Sequence, residues 1–144
     1  MRLISYSIAE ADEMLANSSG DNRKGILVIF RPVGDENPPE LLRKILQAAG
    51  ISPADDTLLL PYEEGRTYSI TTLATVMSVR DVLVFGVSPA AIGLHWQPAA
   101  YVPIVVGERR YLFSHDMEYL GTPKNKAAKG KLWQALKAMY KPIG

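Results

Sequence analysis

The chain has 144 residues, with no cysteine, two histidines, 47% hydrophobic and 22% charged residues. That length suits one domain with a real core; the composition excludes a disordered chain, and the missing cysteine excludes disulfides and thiolate metal sites. Net charge is +1 but unevenly spread: residues 1–120 hold ten Lys and Arg against fifteen Asp and Glu (−5), whereas residues 121–144 hold six lysines and no acid.

With His95 and His115 as the only histidines, zinc would need carboxylates to complete its shell, so no metal is expected. The N-terminal MRLISYSIAEADEML interrupts its apolar residues with Glu10, Asp12 and Glu13, unlike a signal peptide. No apolar run approaches the roughly 18 residues of a membrane span. The expectation is one cytoplasmic domain over 1–144, with residues 1–22 as an N-terminal helix and linker and 23–144 as the core.

Ser7 and Glu10 have the spacing of a capping box, which predicts a short helix over about residues 7–17. Its apolar residues Ile8, Met14 and Leu15 suit either docking to a partner or packing on the domain. The run Gly25–Phe30 predicts a strand covered on both faces, followed by a breaker-rich loop over residues 31–39. Pro38 and Pro39 then open a helix whose apolar stripe is Leu41, Leu42, Ile45, Leu46 and Ala49, and Gly50 closes it. Thr57–Leu60 is a second strand, Ser69–Met77 a short helix weakened by three threonines, and Asp81–Gly86 a third, buried strand. Ser88 followed by Pro89 reads as a helix start. Residues 102–106 and 109–113 flank Gly107-Glu108 and form either a hairpin or two successive strands. A last helix begins near Thr122-Pro123, with Ala127, Leu132, Trp133, Leu136, Met139 and Tyr140 facing inward. Strands alternating with helices predict a three-layer α/β/α sandwich with a mostly parallel central sheet.

In such sheets ligands bind beyond the carboxyl ends of the strands. Asp35 and Glu36, in the loop after the first strand, are positioned to activate a water or to form a solvated turn. The Phe85-Gly86-Val87-Ser88-Pro89 turn offers backbone N–H groups to a phosphate, or is an ordinary strand exit. There is no Walker loop, dinucleotide fingerprint or serine-hydrolase elbow, so no cofactor is implied. His115 is placed to stabilise a developing negative charge, or to cap the next helix together with Asp116. Trp96 and Tyr101 would stack on a base or plug the sheet edge. Lys124, Lys126 and Lys129 in the acid-free tail would contact phosphates or form a solvated helix face.

The order of these pieces resembles the uracil-DNA glycosylase superfamily. The likeness is carried by GILVIF with its loop, ELLRKILQAAGI, VLVFGVSPAAIGL and FSHDMEYL…KLWQAL, over about residues 24–140. It implies a catalytic loop at residues 31–39 and His115 at the position of the family's catalytic histidine. The chain departs from the family in three places. Its loop reads RPVGDENPP, no aromatic follows between residues 31 and 50, and His115-Asp116-Met117 stands where the family has His-Pro-Ser. A carboxylate there opposes DNA phosphates.

The stretch TPKNKAAKGKLWQAL is also similar to the psi-subunit family of the bacterial DNA polymerase III clamp loader, which keeps a glycosylase-like fold without its activity. That resemblance implies a non-catalytic adaptor whose partners are replication or repair proteins, with weak DNA contact and no membrane. The alternative is an active, divergent DNA glycosylase using Asp35, Glu36 and His115.

Overall fold

Five consecutive apolar residues, Ile26–Phe30, form β1, and every one is buried. A strand so covered must lie inside a sheet with packed layers on both faces. The structure is a computed structural model that describes residues 11–35 and 38–140. On one side β1 pairs in parallel with β2 (Thr57–Pro61), and on the other with β3 (Asp81–Phe85). Beyond β3 comes parallel β5 (Arg109–Ser114), and at the rim lies antiparallel β4 (Ile104–Val106). The order is β2-β1-β3-β5-β4, so this is an α/β protein with a mostly parallel five-stranded sheet.

The period of two along each strand sorts side chains onto two faces. Ile26, Val28, Phe30, Leu83, Phe85 and Leu112 meet α2 (Glu40–Ala48), α5 (Met117–Gly121) and α6 (Lys126–Met139). Leu27, Ile29, Leu58, Val82, Val84 and Phe113 meet the opposite layer. That layer includes Met14 from the helical residues 11–16 (α1), the short α4 (Ile70–Leu73) and a 3-10 turn at Pro89–Ile92. Met14 is buried and Leu15 packs partly against the core, so these two residues pack on the domain. Ser7, Ile8 and Glu10, and with them the expected capping box, lie outside the described residues.

Several elements differ from the sequence expectation, each for a local reason. The helix expected over Ser69–Met77 shrinks to Ile70–Leu73, capped where Ser69 Oγ accepts the Thr72 N–H at 3.1 Å. Thr75 Oγ1 donates to the Thr72 carbonyl, the local competition that disfavours threonine in helices. Ser88 caps only a single 3-10 turn, ended by Gly93 at φ +82. An unanticipated short α3 (Pro53–Asp56) precedes β2, started by Ser52 accepting the Asp55 N–H. Of the two readings open for residues 102–113, the hairpin is the one present, with β4 and β5 antiparallel. On α6 the buried residues are Leu132, Ala135, Leu136 and Met139, while Ala127, expected inward, is exposed.

The two rims of the sheet differ. At β2, Ser19 exchanges backbone hydrogen bonds with Leu59 (2.9 and 2.7 Å), and a Cβ on the next residue, Gly20, would lie 2.2 Å from the Thr57 carbonyl oxygen. At β4, no further strand is present among the described residues.

Among the described residues one charged side chain is wholly buried: Asp81, at the start of β3. Arg110 of β5 grips both its oxygens, Nε at 2.7 Å and an Nη at 2.8 Å, and Tyr140 Oη donates to Oδ2 at 2.7 Å. Arg110 also donates to the Met139 carbonyl at 3.2 Å, tying the end of α6 to the sheet. Replacing Arg110 by Ala leaves that carboxylate buried and half-satisfied, and we expect a loss of about 3 kcal/mol in denaturant unfolding. Burial first, and then the Asp81 charge, push the Tyr140 phenol well above its ordinary value near 10. A raised folded-state value means its stabilisation is complete below about pH 10 and declines as pH rises beyond that. The melting temperature of the unsubstituted chain should therefore fall more steeply above about pH 10 than that of Tyr140→Phe.

Candidate functional site

After β1 the chain turns to one side to build β2, and after β3 to the other to build β5. The carboxyl ends of β1 and β3 therefore diverge into a crevice, the place where open α/β sheets bind ligands. Here the crevice has a volume of about 370 Å³. Arg31, Pro32 and Val33 line it from the exit of β1, Tyr62 and Glu64 from the exit of β2, and Asp116 and Glu118 from beyond β5.

Arg31 spans it. Its Nε donates to the Gly86 carbonyl at 2.5 Å, an Nη pairs with Glu64 at 2.8 Å, and the guanidinium lies 5.5 Å from the Tyr62 ring centre. Gly86 is required at the end of β3: its φ is +73, and a Cβ there would lie 2.5 Å from that of Asp116. Asp116 caps α5 by accepting the Tyr119 N–H at 2.9 Å. The crevice is thus bridged by a guanidinium and lined by three carboxylates, Glu64, Asp116 and Glu118.

The groups that the alternative, glycosylase reading would make catalytic do not converge on it. Asp35 is exposed and outside the crevice lining, and Glu36 lies outside the described residues. His115 is exposed and turned into an aromatic cluster: its ring stacks on Tyr119 with centres 3.9 Å apart, and Nδ1 is bonded by the Tyr101 hydroxyl. Tyr101 reaches it from a left-handed backbone position, φ +64, unusual for a bulky residue. Of the two capping candidates it is Asp116, not His115, that caps the helix.

The Gly86 N–H donates to the Ser114 carbonyl at 2.8 Å, and Ser88 Oγ accepts the Ala91 N–H at 3.3 Å. The turn proposed for a phosphate thus directs both groups into its own structure. Trp96 packs edge-on against Tyr111 and Phe113, with centres 6.4 and 6.1 Å apart. Lys124, Lys126 and Lys129 are all exposed, and Lys129 borders an apolar groove between α2 and α6 rather than the crevice. No cluster of three or more metal-ligating side chains occurs among the described residues, and no described helix is long and apolar enough to cross a membrane.

Sequence reasoning missed Arg31, Glu64 and Tyr119. Arg31 carried a signal, as the first residue beyond a fully apolar strand, whereas Glu64 is recruited from a distant loop. Against known proteins, the chain matches no family model and no curated sequence significantly. Substituting Gly86 by Ala forces a Cβ onto Asp116 from a left-handed backbone. We expect a loss of about 2 kcal/mol in denaturant unfolding, with Asp116→Gly in the same chain restoring part of it.

Proposed function

We propose that this chain is a non-catalytic, glycosylase-like adaptor domain of DNA replication or repair, similar to the psi-subunit family. One observation carries the reading. The switch-point crevice, where a glycosylase would hold its base, is bridged by Arg31 and lined by Glu64, Asp116 and Glu118, while His115 stacks outside the lining on Tyr119. Hydrolysis of an N-glycosidic bond needs a carboxylate or amide to place water, together with a group facing the departing base. Asp35 and His115, the described candidates, are both absent from the crevice lining. Three carboxylates at the mouth repel a phosphate backbone.

Element order supports the same reading. A Pro-opened helix ends at Ala48 just before Gly50-Ile51, Gly86 follows β3, His115 follows the last parallel strand, and Leu132-Trp133 lie on the final helix.

The test is base excision. Uracil-containing single- and double-stranded oligonucleotides, incubated with excess protein and then treated with alkali, should stay intact. Cleavage that His115→Ala abolishes would make the chain a divergent glycosylase and overturn the reading. DNA contact, through the exposed Lys124, Lys126 and Lys129, should be weak. Its affinity should drop steeply between low and physiological salt, and further in the Lys124→Glu, Lys126→Glu double variant, as measured by fluorescence anisotropy.

A further inference from the structure

The rim strand β4 consists of Ile104, Val105 and Val106, and all three are exposed, Val105 at 67%. Val102, just before it, is 53% exposed. Solvent-facing rims are ordinarily blunted by charge, bulges or a covering loop. Here the three strand residues carry no charge, and the outer edge meets no strand among the described residues. Val105 lies opposite Arg110 in the register and so points to the face that carries α6.

Next to this edge runs a groove of about 750 Å³. Val102 and Pro103 form one wall; Ala127, Gly130, Gln134 and Ala138 of α6 form the other, with Lys131 also in the lining. Small residues on α6 allow a backbone to approach closely. The helix holds no acid, and Lys126 and Lys137 are neighbours of Gly130 and Gln134 at helical spacings of four and three. Glu108 sits beyond the strand, in the hairpin turn beside Arg109.

We propose that β4 and this groove bind an extended partner peptide that adds a sixth strand to the sheet, its apolar side chains against Val102 and Val105 and its acidic side chains toward the α6 lysines. Main-chain hydrogen bonds at such an edge give affinity, and flanking pockets and charges give specificity. The charge decides between a peptide and a second copy. A twofold pairing β4 with another β4 would set two lysine-rich helices on the same face of one sheet, which repels, whereas an acidic strand is attracted.

This inference rests on the adaptor reading, yet the two fail separately: excision of uracil removes that reading, and the outcomes below concern the edge alone. The probe is a fluorescein-labelled synthetic peptide alternating valine with glutamate, compared with one alternating valine with lysine. The valine–glutamate peptide should bind, should slow amide hydrogen exchange at Val105 and Val106, and should lose about tenfold in affinity to Lys131→Glu. Val105→Lys, an exposed substitution, should abolish binding while leaving the melting temperature unchanged. Binding of neither peptide, equal binding of both, or protection elsewhere would overturn the proposal. A dimer in sedimentation that Val105→Lys dissociates would also overturn it, assigning the edge to a second copy.

Discussion

A carboxylate without solvent contact has to be neutralised where it stands, and in this chain that requirement organises the amino end of the sheet. Asp81 is fully buried, and its partners come from two other elements: Arg110 from β5 and Tyr140 from the end of α6. Arg110 binds it through two nitrogens, a geometry that fixes direction as well as distance. A buried ion pair of this kind adds little net stability over apolar residues of the same size, so its main effect is on placement. Because Arg110 also holds the Met139 carbonyl and faces Val105 across the hairpin, one cluster sets the position of α6 relative to β3, β5 and β4.

At the opposite end of the strands, placement is governed by backbone. Gly86 adopts φ +73 directly against Asp116, which brings the exits of β3 and β5 together more closely than a Cβ permits. The Gly86 carbonyl thereby faces Arg31, which holds it along with Glu64. What would be an open ligand crevice becomes a bridged one, and Asp116 both caps α5 and adds charge to the wall. Asp116 alone thus bears on both helix capping and the charge of the crevice wall.

The sheet's interior was plain in the sequence because strands buried on both faces read as unbroken apolar runs, as in Ile26–Phe30 and Val82–Phe85. The α2 stripe was equally plain, since Leu42 and Leu46 recur at helical spacing and become wholly buried. Short elements were less legible. Pro53–Asp56 is polar, with no periodicity to show, and the serines at 69 and 88 start turns whose length depends on tertiary packing rather than on the cap. The choice between a hairpin and two successive strands for residues 102–106 and 109–113 was open because Gly107-Glu108 between them fits either. Site geometry was the least legible: Arg31 and Glu64 are 33 residues apart, and nothing local marks them as partners. Asp81 reads only as the start of a buried strand, and its partners, 29 and 59 residues away, were not legible.

The Ser19 bridge on β2 has a consequence for valency. With Ser19 bridged to Leu59 at one rim and Gly20 pressed against Thr57, the open rim among the described residues is β4. A sheet with two open rims is divalent and can propagate without limit, as fibrils do. A sheet with one open rim terminates any chain of strands it joins. Among the described residues this sheet therefore has room for one added strand per domain.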